Sequence, residues 1–117
     1  MSMRLYVWQR MTAALMVPLI VIHLIVIFYA TNNGLSAVDI LDRTRGSYLW
    51  ALYYGTFVIA AAIHAAIGLR SVASDWTSLR PAALNGLMWS AGAVLLMLGL
   101  RAIAGVVLPG VLPGVLP

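Results

Sequence analysis

An all-α integral membrane protein with three spanning helices is the fold class this sequence predicts, and three observations predict it. Of its 117 residues, 63% are hydrophobic and only 9% charged, whereas a soluble domain carries about a quarter charged residues and under half apolar ones. Crossing a hydrocarbon core of about 30 Å takes about 20 mostly apolar residues, and runs of that kind fall near residues 11–31, 48–72 and 83–107. Polar breaks separate the runs, at Thr31-Asn32-Asn33-Gly34 and ahead of Pro81. The chain therefore divides into one three-helix membrane unit over residues 1–108 and a Pro/Gly-repeat tail over residues 109–117.

Arg4 and Arg10 precede the first run as they would in a secretory signal. The run is longer than a signal's apolar region, and no clear small-residue cleavage site follows, so it reads as a retained helix. That helix is expected to start near Trp8 or Gln9, with Tyr6 and Trp8 as interfacial anchors. Pro18 removes a backbone donor inside it and predicts a bend. Residues 35–46 form a polar connection with a short surface helix over residues 37–41, and Ser47 suits the N-cap of the second span. Tyr48, Trp50, Tyr53 and Tyr54 predict a second aromatic girdle. The third span carries Gly86, Gly92 and Gly99 with Ser90 and Ala93, small residues that let helices approach closely in lipid. The closing LPGVLPGVLP repeats a unit whose prolines stop a helix and whose glycines allow turns, and no chemistry attaches to it.

The charges speak to orientation. Seven arginines and no lysine stand against three aspartates, a net charge of +4, with no soluble basic surface on which nucleic acid could lie. Arg4, Arg10, Arg70 and Arg80 fall on one side of the membrane, and Arg43, Arg45 and Arg101 on the other with Asp39 and Asp42. The positive-inside rule then puts the N-terminus in the cytoplasm and the C-terminus outside it. There is no cysteine, so the chain offers no disulfide and no thiolate ligand.

Both histidines, His23 and His64, lie inside apolar spans, where ionisable side chains are costly and face a bundle interior, a cavity or a cofactor. In IAAAIHAAIG, Ala60, His64 and Gly68 recur at i, i+4 and i+8 and share one flat helix face. His64 and Asp75 are 11 residues apart, as are Thr12 and His23. That is about three helical turns, so each of the first two helices sets a histidine and a polar group along one stripe. Depth separates the histidines: His23 lies 13 residues beyond Arg10, and His64 lies 6 before Arg70. At 1.5 Å per residue these are about 20 Å and about 9 Å from the inner ends of their helices, too different for one shared metal. A single histidine among small neighbours suits an axial ligand to a flat macrocycle such as haem, the opposing ligand coming from a partner chain. Arg10 and Arg70 either pair with haem propionates, which the planar guanidinium fits, or serve only the positive-inside rule. Asp75 reads as loop solvation or a partner for Arg80, and Trp76 as an interfacial anchor.

The stretch HAAIGLRSVASDW, residues 64–76, resembles the H-x-x-x-G-x-[RW]-x-x-x-x-D-[YFW] signature of the cytochrome b and hydrophobic anchor subunits of succinate dehydrogenase, the succinate:quinone oxidoreductase also called complex II. QRMTAALM in the first helix looks like that family's R-x-[ST]-[GA] segment. The likeness covers residues 8 to about 108. It implies that the chain is half of a heterodimeric anchor bundle, paired with a second anchor subunit and docked to an iron–sulfur subunit and a flavoprotein, with flavin catalysis outside this chain. It implies that His64 is an axial ligand of haem b, the other ligand being the sister subunit's histidine. It also implies that Arg10, Thr12, Asp75 and Trp76 lie around a ubiquinone or menaquinone pocket. Trp76 stands where many hydrophobic anchor subunits carry a tyrosine; its indole N–H can also donate a hydrogen bond, with a different reach. Family members with two haems carry a first-helix histidine as well, so His23 is expected on a second, distal haem; its alternative role is a hydrogen bond inside the bundle near Pro18.

The expected function is that of a membrane anchor in the bacterial cytoplasmic membrane that binds one or two haems, shared with its sister, and helps pass electrons to quinone. Asp75 is the expected proton entry, so Asp75→Asn should give a pH-dependent rate defect. Two rivals remain. A small proton-coupled transporter or channel subunit would use His23 and His64 as relays and would show no haem absorbance. A structural assembly factor would keep quinone reduction intact in His64→Ala.

Overall fold

The computed structural model describes residues 2–108. The VLPG repeat over residues 109–117 lies outside the described residues. Four helices follow one another: α1 Met3–Asn33, α2 Ala37–Thr44, α3 Tyr48–Trp76 and α4 Pro81–Val107. α1, α3 and α4 are the three long apolar helices, of 31, 29 and 27 residues. At 1.5 Å rise per residue they run to roughly 40–46 Å, the full bilayer with its headgroup regions, in keeping with a longest molecular extent of 50 Å.

Helix boundaries follow the caps. α1 begins five residues earlier than Trp8, because the Ser2 side chain accepts from the Leu5 N–H and starts the helix there. It runs through the predicted break as far as Asn33, since Asn32 and Asn33 donate their side-chain amides back to the Phe28 and Tyr29 carbonyls. Gly34 ends it with φ at 135°, a conformation open to glycine alone, and its N–H reaches the Ala30 carbonyl. The surface helix α2 is longer than the predicted 37–41. Ser36 and Asp39 form a reciprocal capping box at its start. Ser47 caps α3 as expected, accepting from the Trp50 N–H. Pro81 occupies the first turn of α4, where its missing donor costs nothing.

α3 is the middle of a layer, packed against α1 on one side and α4 on the other. Both pairs run antiparallel: Thr12 meets His64 and His23 meets Tyr54, while Asn85 meets Arg70 and Gly99 meets Val58. The buried apolar set is small and mostly on α3 and its neighbours: Ala60, Ala62, Ala66, Ile67 and Leu84 with Ala30, Leu41 and Val107. A chain in lipid needs no larger core, because acyl tails are as apolar as leucine and helix association rests on close packing and polar contacts.

At the end where α1 finishes, α2 folds over the last turn of α4. Thr44 donates its hydroxyl to the Val106 carbonyl at 2.6 Å, and the Gly46 N–H reaches the Val107 carbonyl at 2.7 Å. These bonds satisfy carbonyls a helix C-terminus leaves open. Gly46 does this from φ 72°, a left-handed conformation that suits glycine. Arg43 donates to the Gly34 carbonyl at 2.9 Å and lies over the Tyr29 ring, tying α2 to α1 as well.

Candidate functional site

The site is built where α1 crosses α3. α1 presents Gln9 and Thr12 one turn apart on one face, and α3 answers with His64. The His64 ring is half-buried, with Nδ1 3.3 Å from the Gln9 carbonyl oxygen and 3.3 Å from Thr12 Oγ1. A carbonyl oxygen can only accept, so Nδ1 carries the proton and donates to both. Thr12, itself buried, points its own proton along α1 to the Trp8 carbonyl at 2.7 Å and offers the imidazole a lone pair. With the proton on Nδ1, Nε2 is the ring nitrogen left to offer a lone pair to a metal.

Gly68 lies one turn from His64, alongside the Gln9 side chain: a Cβ there would sit 3.4 Å from Gln9 Nε2. Ala60, on the other side, is buried. The flat small-residue face around His64 thus has α1 packed on it within this chain, with the Gln9 side chain over Gly68. Gln9 Oε1 is buried without a hydrogen-bond partner.

His23 occupies a separate level. Its ring meets the edges of Tyr54 and Phe57 at centroid distances of 6.1 and 5.6 Å. Its Nδ1 is buried without a partner. Thr12, at the His64 level, is 11 residues earlier on α1, so the two histidines stand about 16 Å apart along the helix. The depth separation read from spacing is present in the structure, and among the described residues no cluster of three or more metal-binding side chains forms. Trp50, Tyr53 and Tyr54 are drawn towards this level, not arrayed as an outward girdle. Trp50 stacks on Tyr54 at 5.6 Å, and the Tyr53 hydroxyl donates to the Leu19 carbonyl at 2.5 Å. Tyr48 alone of the four stands fully outward, 92% exposed.

The remaining predicted residues lie nearer the opposite end. Arg10 is exposed, its guanidinium 5.3 Å from the Tyr6 ring. Asp75 and Trp76 are exposed in the last turn of α3. Arg70 turns away from this group: its Nε donates to Asn85 Oδ1 on α4 at 2.9 Å. Six residues after His64, it sits about 120° round the helix from the ring that faces α1, and its Nε ties α3 to α4.

On α4 the small residues divide. Gly99 faces α3 so closely that a Cβ would run into the Val58 side chain, and one on Gly92 would sit 3.3 Å from the Ala66 methyl. Gly86 has nothing within 4 Å, and Ser90 and Ala93 are exposed, so only two of the five predicted small positions make the contact. Gln9, Asn85 and Thr44 are participants that the sequence reading missed, and Tyr53, expected in an aromatic girdle, bonds to α1; the Gln9 acceptor is a main-chain carbonyl, which no residue type announces.

A family model described as Succinate dehydrogenase/Fumarate reductase transmembrane subunit matches residues 1–100. Neither the curated proteins nor the solved structures supply a match. Three long apolar helices, a polar crossing of the first two and a family match over residues 1–100 of the 117 agree, and the chain belongs to the succinate dehydrogenase/fumarate reductase transmembrane subunits, as a multi-pass membrane component of such a complex.

Proposed function

We propose that this subunit is a haem-binding anchor that helps carry electrons from the iron–sulfur subunit to quinone, with His64 as one axial ligand of a b-type haem and a second membrane anchor subunit supplying the other. The observation that carries the reading is the hydrogen bonding of His64. Histidines that bind metals donate their second ring nitrogen to a carbonyl or similar acceptor, which fixes the tautomer and raises ligand basicity. His64 donates Nδ1–H to the Gln9 carbonyl and Thr12 Oγ1 and leaves Nε2 free, so the residues present fit the group. When bound, haem supplies a one-electron carrier whose potential depends on axial ligand, hydrogen bonding and burial. The Gln9 side-chain amide lies alongside Gly68, one turn further along α3, with its Oε1 buried and unpartnered.

His23 is the candidate ligand for a second, distal haem, supported by its separate depth. Arg10, near the start of α1, and Asp75 and Trp76, in the last turn of α3, are assigned to the quinone pocket and to the end on which the iron–sulfur subunit and flavoprotein dock. There Asp75 takes protons from the cytoplasm onto its carboxylate, and the Trp76 indole N–H and Arg10 guanidinium offer donors for a quinone carbonyl. Thr12 belongs with His64, its proton already given to the Trp8 carbonyl. Arg70 holds α4 and leaves propionate pairing to Arg10. The N-terminus lies in the cytoplasm and the membrane is the bacterial inner membrane, in keeping with four arginines against three.

Pyridine haemochrome quantitation and a reduced-minus-oxidised spectrum of the purified complex test this. One or two haems per complex are expected; an assembled complex with no Soret absorbance would overturn the reading.

A further inference from the structure

We infer that Thr12 is a positioning residue for His64: its hydroxyl, oriented by the Trp8 carbonyl, completes with the Gln9 carbonyl a two-acceptor fork that fixes the imidazole's tautomer and ring plane and sets the basicity of Nε2. The inference rests on the haem-anchor reading above and goes beyond it by assigning redox tuning to a residue of the other helix.

Each part of the fork has a reason in the chain. Gln9 and Thr12 are one turn apart on α1, so the carbonyl of one and the hydroxyl of the other converge on one point across the α3 contact. The Thr12 hydroxyl has one proton and sends it to the Trp8 carbonyl at 2.7 Å, with the Gln9 carbonyl a longer 3.1 Å away. Its lone pairs are then what the ring meets. β-Branching restricts the Thr12 rotamer, and burial of the residue at 5% exposure keeps water from substituting for the hydroxyl. The two acceptors sit at the same 3.3 Å from Nδ1, so they share one N–H and hold the ring from two directions. One acceptor alone would leave the ring free to turn about the remaining bond.

The consequence for a bound iron is directional. Acceptors on Nδ1–H push electron density towards Nε2, and a more basic imidazole favours the ferric over the ferrous ion. Thr12→Val keeps shape and burial and deletes one acceptor, so ferric stabilisation falls and the midpoint potential rises. Loss of a group that orients a metal-bound histidine costs about 10–100-fold in metal affinity, and the lower part of that range is expected here because the Gln9 carbonyl remains.

The test is made on the whole complex, comparing wild type, Thr12→Val and Thr12→Ser. Four quantities are read: haem per complex, redox midpoint, the low-spin ferric EPR signal, and retention of the soluble subunits. Thr12→Val is expected to hold haem about tenfold more weakly, seen as less haem per complex with the soluble subunits retained, to shift the midpoint upward and to broaden the EPR signal, which reports the imidazole plane. Thr12→Ser, which keeps the hydroxyl, is expected to restore all three. Should Thr12→Val not assemble, Thr12→Ala is read the same way, with Thr12→Ser still required to match wild type. A haem-loaded wild type with unchanged midpoint and EPR signal in the hydroxyl-free variant overturns this inference alone. A colourless wild-type complex overturns the haem-anchor reading, and this inference with it.

Discussion

α3 has two neighbours and meets them by opposite means. Towards α4 the contact is steric: Gly99 accepts the Val58 side chain and Gly92 the Ala66 methyl, with a polar tie from Arg70 to Asn85 at one end. Towards α1 the contact is polar along its length, with His64 on Gln9 and Thr12, Tyr53 on the Leu19 carbonyl, and His23 among aromatic edges. In a membrane both kinds hold helices together. Only the second carries groups that can bind a metal or pass a proton. The lesson is that one helix keeps close steric packing on one face and polar contacts on the other.

The sharpest way to break this comparison is a bulky apolar replacement on each face. His64→Leu is expected to abolish haem binding at its level, seen as loss of most Soret absorbance per complex, while the helices still assemble. Gly99→Leu is expected to do the reverse. Filling a closed contact costs about 1–3 kcal/mol, so the yield and thermal midpoint of the complex fall while haem per surviving complex stays constant. If both substitutions emptied the haem site equally, the two faces would not be distinct. Tyr53→Phe sharpens the distinction at smaller scale. It removes the bond to the Leu19 carbonyl and should lower stability by about 0.5–1.5 kcal/mol, measured as a reduced thermal midpoint with the visible spectrum unchanged.

The smallest effect concerns neither face and serves as a control. The Ser36 hydroxyl and backbone N–H beside Asp39, helped by Arg43, hold its carboxyl below its usual 3.8. Because the folded value is depressed, the capping box contributes its stability above pH 3.8 and loses it as pH falls through the lower folded value. Hydrogen exchange at the Asp39 amide should speed up in that acid window, with exchange across the α1–α3 crossing unaffected.

How much of this was legible in the sequence differs between the same two faces. Span number and order followed from apolar length, the cap at Ser47 from residue type, and the break before α4 from the polar residues ahead of Pro81, because these depend on the chain's own local chemistry. His64 was legible too, since an imidazole in an apolar run has few uses. Its partner was not: the Gln9 acceptor is a backbone carbonyl, identical in every residue, and only the crossing of two helices brings it to the ring. The neighbour of Arg70 was hidden for a related reason: its place near the helix end is plain in the sequence, but only the packing of α4 brings Asn85 to its Nε. Gly86, Ser90 and Ala93 look like Gly92 and Gly99 in the sequence, and the rotation of α4 alone separates them.

The stitching of α2 across α1 and α4 confines the layer at one rim, through Arg43, Thr44 and Gly46. Away from that rim, the first turns of α1 are joined to α3 by the hydrogen bonds of a single imidazole. The polar fork proposed to position an imidazole is therefore also a fastener between two helices, so that losing the Thr12 acceptor is expected to loosen that crossing as well.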